Sequence, residues 1–272
     1  QTSVDTIESD VFRGCQNIKK ISIPIGVKKI GAHAFDRCTI LEGTEIPDGV
    51  TEIGECAFAE CENLKKINIP KSVKKIKMGA FNGCTALKEI SIPKNVESIE
   101  DYSFGRCTSL EIVEIPDDAN IKCIGKNAFN GCVALKEINI PKIVKSIGTF
   151  AFHRCKALKE VTIPNSVTSI GNFAFDGCKS LEKVNIPERM ESIGTYAFNG
   201  CKSLKEIKIS EGVELICSCA FSGCESLEEI EIPESVKKIA KDAFDGCDSL
   251  KVKWNKKVYN TVAEFFADFN KK

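Results

Sequence analysis

A Phe-x-x-Cys motif returns along this chain of 272 residues at intervals of 23 residues. Its phenylalanine occupies positions 12, 35, 58, 81, 104, 129, 152, 175, 198, 221 and 244, and every interval is 23 except one of 25. The whole unit reads L-x-x-I-x-I-P-x-x-V-x-x-I-G-x-x-A-F-x-x-C, and all nine prolines occupy its single proline position. Repetition this regular predicts a chain built from stacked copies of one unit.

A unit of 23 residues is too small to bury its own apolar side chains, so neighbouring units must stack and share a core. In a representative unit, Val184 and Ile186 are apolar. Lys183 and Asn185 alternate with them, and this two-residue period is typical of a strand with one buried face. Pro187 ends the strand, because it has no N–H to donate to a neighbouring strand.

The second half of the unit predicts two further short elements. Met190 and Ile193 form an apolar pair suited to a brief strand or extended turn on the opposite wall. Ala197, Phe198 and Cys201 then follow at a spacing that suits one helical turn against the core.

These elements predict an α/β solenoid of about eleven coils over residues 1–252. The first strands of the coils are expected to form a parallel sheet on one wall, with short strands and single helical turns on the other walls. Because stacked strands lie about 4.8 Å apart, the coils would extend on the order of 50 Å. We identify no linker within this region.

Residues 253–272 are predicted to close the last coil together with Trp254. Thr261 followed by Glu264 is a capping-box signature for the start of a helix. The apolar residues that follow share one helical face and are Val262, Phe265, Phe266 and Phe269. A membrane-surface helix is the alternative, but the polar face is not strongly basic. At the other end Gln1 falls in mid-coil, so either upstream residues or an exposed first coil is expected.

The unit from Leu181 to Cys201, LEKVNIPERMESIGTYAFNGC, resembles the BspA-like class of leucine-rich repeat proteins. The resemblance covers about residues 4–250, and both I-P and A-F-x-x-C recur in phase. It implies a concave sheet wall that commonly carries a ligand site. It also implies a surface or secreted protein of a bacterium or protist that adheres to host matrix proteins such as fibronectin and fibrinogen. An intracellular, cytoplasmic scaffold is the alternative.

The chain contains fifteen cysteines, and eleven of them occupy the same position of stacked coils. We interpret this column as buried free thiols that fill space beside the phenylalanines, because free cysteine behaves as a small apolar residue. A straight column without C-x-x-C is unsuited to a tetrahedral zinc site, although some disulfides remain an alternative. The cysteines outside the column are interpreted as isolated thiols and are Cys56, Cys123, Cys217 and Cys219.

Composition and motifs argue against several classes of function. Lys plus Arg and Asp plus Glu both number 38, which disfavours nucleic-acid binding, and no apolar run is long enough to span a membrane. No phosphate-binding, dinucleotide-binding or zinc-protease motif is present. The two histidines, His33 and His153, lie five coils apart, and neither is expected to form a pair with a cysteine or a serine. We therefore expect a protein that is not an enzyme and that needs no cofactor and no metal.

Two surfaces are candidates for binding a protein ligand. The strand wall, defined here as the outward residues of the first strands, is the weaker one, and its candidates are Glu137, Asn139, Glu160, Thr162, Lys183, Asn185, Glu206 and Lys208. The aromatic stripe comprises Phe150, Phe173 and Tyr196, which lie two residues before the repeated phenylalanine on three consecutive coils. It is interpreted either as rings that stack to cover the turns or as a contact for a protein or a second copy. Neither surface identifies the ligand or the oligomeric state.

Overall fold

The computed structural model describes residues 4–271. It consists of short parallel strands and turns that repeat from one coil to the next. In chain order the strands are β1 Thr6–Ile7, β2 Lys20–Ser22, β3 Lys29–Ile30, β4 Gly43–Glu45, β5 Glu52–Ile53, β6 Lys66–Asn68, β7 Lys75–Ile76, β8 Glu89–Ser91, β9 Ile112–Glu114, β10 Cys123–Ile124, β11 Glu137–Ile138, β12 Ser146–Ile147, β13 Glu160–Val161, β14 Ser169–Ile170, β15 Lys183–Asn185, β16 Ser192–Ile193, β17 Glu206–Lys208, β18 Leu215–Ile216, β19 Glu229–Glu231, β20 Lys238–Ile239, β21 Lys251–Trp254 and β22 Lys257–Tyr259. Helix α1 spans Val262–Phe269.

The first strand of each coil lies on the strand wall, as predicted. Strands β2, β4 and β6 form one parallel sheet, and β8, β9, β11, β13, β15, β17, β19 and β21 form another, to which β22 adds an antiparallel edge. Val184 pairs with Ile207, which lies 23 residues further along the chain. This register places every unit directly above its neighbour, so equivalent side chains form columns.

The second wall is built from strands of only two residues. Its sheets are β1-β3-β5-β7, β10-β12-β14 and β16-β18-β20, and isolated bridges through Ile99 join the first two. Met190 and Ile193 are both buried beneath this wall. The extended pair predicted opposite the first strand is therefore confirmed.

The third wall differs from the single helical turns predicted there. Ala197 N–H donates to the Gly194 carbonyl, and Cys201 N–H donates to the Phe198 carbonyl. Each bond joins residues three apart, as in a β-turn, whereas an α-helical bond joins residues four apart. Phe198 N–H donates instead to Ala220 of the next coil at 2.9 Å. Tyr196 has a left-handed φ of 55°, which interrupts any right-handed helix. Among residues 4–271, α1 is the only α-helix.

The core is a set of side-chain columns that run through the stack. Phe129, Phe152 and Phe175 stack with ring centroids 5.4 and 5.1 Å apart, and all three side chains are fully buried. The glycine that ends the second strand lies where backbones of adjacent coils approach closely. A Cβ added at Gly148 would lie 2.6 Å from the backbone carbon of Gly125. The shared interior predicted from the repeat is thus confirmed.

The C-terminal segment covers the last coil with an aromatic cluster. Thr261 accepts a hydrogen bond from the Glu264 N–H and begins α1, which confirms the predicted helix start. Phe265 and Phe269 are buried and meet the Trp254 ring edge-on at 5.8 and 5.3 Å. Across the described part of the chain, no helix has the length and apolar character needed to cross a membrane.

Candidate functional site

The strand wall carries a depression of about 840 Å³ over strands β8, β9, β11 and β13. Ile112 is one of its lining residues and is 41% exposed, whereas the outward positions on the neighbouring strands are mostly polar. The other outward residues that line it are Ser91, Glu114, Glu137, Asn139, Glu160 and Thr162. The structure thus brings four of the strand-wall candidates together around one exposed aliphatic side chain.

The depression is acidic. Its lining contains three glutamates, and none of the described residues that line it is a lysine or an arginine. Glu137 and Glu160 are direct partners across strands β11 and β13, an arrangement in which like charges repel. Neither forms an ion pair within residues 4–271. This local surplus of negative charge contrasts with the balanced composition of the chain.

The remaining strand-wall candidates lie beyond the depression. Lys183 and Glu206 approach each other at 3.8 Å as a surface ion pair. The side chain of Asn185 is half-buried, and its amide donates to the Ile163 carbonyl at 2.7 Å and accepts from the Ile163 N–H. Lys208 is exposed on β17 and pairs in register with Glu231. Asn185 therefore extends the hydrogen bonding between coils instead of facing solvent as expected.

The aromatic stripe forms a continuous stack on the turn wall. The ring centroids of Phe150 and Phe173 are 4.6 Å apart, and those of Phe173 and Tyr196 are 4.7 Å apart with nearly parallel planes. All three side chains are half-buried. The rings cover one another and leave part of their surface exposed, so both interpretations of the stripe remain predictions.

The stripe occupies backbone positions that are unfavourable for aromatic residues. Phe150, Phe173 and Tyr196 have left-handed φ values of 58°, 59° and 55°. Gly79 and Asn127 occupy the same position in other coils with the same sign of φ, and glycine and asparagine tolerate it best. Each aromatic residue therefore introduces backbone strain, which its stacking contacts offset.

All fifteen cysteines are free thiols, and ten of the eleven in the column are buried. Cys15, in the first coil, is half-buried. Burial raises the pKa of the Cys107 thiol to about 12 and that of Cys38 to about 11, because a thiolate would lack solvation there. The thiol column predicted from the sequence is therefore confirmed, and the thiols of Cys107 and Cys38 remain protonated at neutral pH.

The expectation that neither histidine forms a pair with a cysteine is wrong. His33 and Cys56 occupy the same position of adjacent coils, and a ring nitrogen, the thiol sulfur and a Glu55 carboxylate oxygen all lie within 4.8 Å of one another. The signal was present in the sequence, because the two residues are separated by one repeat of 23. The other histidine, His153, has Nδ1 2.9 Å from a carboxylate oxygen of Asp176.

These features define a parallel β-solenoid of short repeats with an acidic depression on its main sheet. The sequence matches the family described as BspA type leucine-rich repeat region over residues 5–132 and 122–251. The chain belongs to this family, which confirms the resemblance. Leucine-rich repeats are a fold of protein-interaction modules and are generally not catalytic.

Solved structures agree with this assignment. A leucine-rich repeat protein from Bacteroides ovatus is 33% identical with a TM-score of 0.65, and the alignment covers 92% of this chain and 76% of that chain. A leucine-rich cell surface protein from Faecalibacterium prausnitzii is 30% identical with a TM-score of 0.53, covering 97% and 85%. The pneumococcal vaccine antigen PcpA, 22% identical with a TM-score of 0.50 and coverage of 87% and 62%, shares the fold. No match was found among curated proteins.

Proposed function

We propose that this protein is a non-catalytic recognition module at the cell surface or outside the cell, where it binds a protein ligand in the manner of an adhesin. Its membership of the BspA-type family supports a protein-binding role. The similarity to a leucine-rich cell surface protein over 97% of this chain supports the location. A host extracellular matrix protein is the class of ligand that family resemblance favours.

The acidic depression is the observation on which the proposed contact rests. Glu114, Glu137 and Glu160 line the depression together with Ile112, so the surface complements a segment that carries both basic and aliphatic side chains. The depression crosses four strands and is open to solvent, which suits an extended polypeptide better than a small molecule. The bound segment would relieve the repulsion between the paired glutamates, and its attraction would weaken with added salt.

The aromatic stripe is a second proposed contact for the same function. Its half-exposed rings lie on the turn wall and offer the kind of residue that is enriched at protein interfaces. The left-handed φ recurs at this position in most coils, and glycine or asparagine adopts it with less strain than an aromatic residue does. We propose that the rings are retained because they contact a partner or a second copy of the chain.

Peptide binding tests the role of the depression. Short synthetic peptides that alternate lysine or arginine with aliphatic residues would be compared by fluorescence anisotropy with peptides carrying glutamate in place of the basic residues. We expect the basic peptides to bind more tightly, and Glu137→Lys to weaken their binding by about tenfold, a typical loss for a close charge pair. Glu45→Lys is the matched control, because Glu45 is also exposed on the strand wall but lies outside the depression.

Equal binding of both peptide sets, or an equal effect of Glu137→Lys and Glu45→Lys, would contradict the proposed contact. The location requires a separate experiment. Mild proteolysis of intact source cells should degrade a surface-exposed protein before any cytoplasmic marker. Protection of the protein until the cells are lysed would favour the alternative of an intracellular scaffold.

A further inference from the structure

A side-chain cluster on the turn wall lies two coils from the nearest strand of the depression and takes no part in the proposed function. It combines the imidazole of His33, the carboxylate of Glu55 and the thiol of Cys56, one donor atom of each lying within 4.8 Å of the others. His33 and Cys56 are half-buried, and Glu55 is exposed. Nitrogen, sulfur and oxygen donors of this kind form the binding sites of zinc and similar ions.

The backbone holds these side chains in a fixed relationship. His33 and Cys56 have left-handed φ values of 56° and 49°, and both lie two residues before a stacked phenylalanine. The His33 N–H donates to the Glu55 carbonyl at 2.7 Å, and the Cys56 N–H donates to the Met78 carbonyl at 2.9 Å. The cluster is therefore placed by the ladder of hydrogen bonds between coils and does not depend on a flexible loop.

A second carboxylate orients the imidazole. Asp36 Oδ2 lies 3.2 Å from His33 Nδ1, and the Arg13 guanidinium Nε approaches the same oxygen at 3.1 Å. The Asp36 side chain is only 7% exposed, so its carboxylate is sheltered from solvent. A carboxylate that accepts a hydrogen bond from one ring nitrogen leaves the lone pair on the other, which is the usual arrangement around a metal-binding histidine.

We propose that His33, Glu55 and Cys56 form a binding site for a divalent transition-metal ion of the zinc type. In a tetrahedral zinc site with bonds of about 2.0–2.3 Å, neighbouring donor atoms lie roughly 3.5 Å apart. The proposed site requires the exposed Glu55 side chain and the Cys56 thiol to rotate until the donors reach that separation. Three protein ligands leave a fourth position for water or for a side chain of a partner.

A catalytic thiol fits this cluster less well than a metal ligand does. The Glu55 carboxylate lies within 4.8 Å of the Cys56 sulfur and would repel a thiolate there, whereas a nucleophilic thiol needs a positively charged neighbour. A bound dication would reverse this effect, because it attracts both the carboxylate and the thiolate. The same residues therefore disfavour nucleophilic catalysis and favour a cation.

Cobalt(II) titration tests the proposal, because the ion reports tetrahedral geometry and thiolate ligation through its absorption spectrum. The protein would be kept reduced, and Co²⁺ alone would be added. We expect one equivalent to bind with tetrahedral visible bands and a thiolate charge-transfer band. Addition of Zn²⁺ should displace it. Cys56→Ser should remove the charge-transfer band, and His33→Asn should weaken binding by at least about tenfold.

Matched controls separate this site from other thiols and histidines. Cys219→Ser changes a half-buried thiol at the same position of another coil, and His153→Asn changes the other histidine. Both should bind Co²⁺ as the original protein does. His33→Asn is expected to fold, because Asn127 occupies the same position with a left-handed φ of 54°. Circular dichroism would verify folding of each variant.

Asp36→Asn tests the positioning role of the buried carboxylate. We expect roughly tenfold to a hundredfold weaker metal binding with the thiolate band retained, since loss of such a partner leaves the ligands in place. The proposal is overturned if the original protein binds no Co²⁺, or if a charge-transfer band of equal intensity persists in Cys56→Ser. It is equally overturned if His33→Asn and His153→Asn bind with the same affinity.

Discussion

The Cys178 sulfur lies 3.2 Å from the backbone carbonyl oxygen of Phe152, in the preceding coil, and its S–H donates to that oxygen. The same carbonyl also accepts the N–H of Cys155 at 3.1 Å. Both lone pairs of a buried carbonyl are thus used, one within the coil and one between coils. The cysteine therefore has a hydrogen-bonding role in addition to the filling of space predicted from the sequence.

The bond recurs along the whole column. Each of the ten column cysteines from Cys38 to Cys247 donates to the carbonyl of the phenylalanine in the preceding coil, at 3.0–3.3 Å. A leucine or valine in this position would lack the donor, and a longer polar side chain would not fit. The small, weakly polar thiol meets both requirements.

A comparison of two substitutions at Cys178 separates hydrogen bonding from packing. Cys178→Ala removes the donor and leaves a small cavity, so we expect it to lower the free energy of unfolding by about 1–3 kcal/mol. Cys178→Ser keeps a donor facing the Phe152 carbonyl and should be less destabilising. Urea denaturation followed by circular dichroism measures both. Greater stability of the alanine variant would show that the thiol acts through packing alone.

Thiol accessibility provides a second prediction. Ten column cysteines are buried, and five cysteines are half-buried: Cys15, Cys56, Cys123, Cys217 and Cys219. With a thiol reagent at mildly alkaline pH, we expect no more than five thiols to react in the folded protein and fifteen after denaturation. Burial raises the pKa of the Cys107 thiol to about 12, so this thiol is protonated as well as shielded. A denatured count of half that total would instead demonstrate disulfides.

The spacing of apolar residues was sufficient to predict the strands, the core columns and the C-terminal helix. Val184 and Ile186 alternate with polar residues, and this pattern predicts which side chains face inward. Stacking then follows, because a 23-residue unit has no other means of covering them. The thiol column was predictable for the same reason.

Backbone conformation on the turn wall could not be predicted in this way. Ala197, Phe198 and Cys201 have a spacing that fits either a helical turn or two successive β-turns. The sign of φ decides between them, and an aromatic residue such as Tyr196 gives no indication of a left-handed conformation. The depression could not be predicted from the sequence either, because it depends on which side chains the adjacent strands place beside Ile112.

Phe173→Asp tests whether the aromatic stripe is a contact surface. The substitution loses two stacking contacts, each worth about 0.5–1.5 kcal/mol, but relieves a left-handed backbone that costs a phenylalanine about 1–2 kcal/mol. These effects oppose each other, so we expect the melting temperature to change by only about 5 °C or less. Partner binding or concentration-dependent self-association, measured by sedimentation, should be strongly weakened.

The matched control for the stripe is Tyr102→Asp. Tyr102 occupies the same position with a φ of 58° and is 46% exposed, but it stacks on no ring of the described chain. This variant should keep the association of the original protein. A fall in melting temperature above about 10 °C in Phe173→Asp would show that the stripe is structural. Equal association of the two variants would also contradict a contact role.

Low pH should release the C-terminal helix before the rest of the solenoid unfolds. Hydrogen bonds from Lys257 at 2.6 Å and Lys271 at 3.0 Å lower the pKa of Asp268 from 3.8 to about 2. The folded state therefore favours the carboxylate. The contribution of the Asp268 carboxylate to stability is complete above about pH 4 and is lost as the pH falls through about 2.

Fluorescence of Trp254, the single tryptophan, reports release of the helix because its ring packs against Phe269. Asp268→Asn should abolish this transition, and an unchanged pH profile in that variant would contradict the assignment.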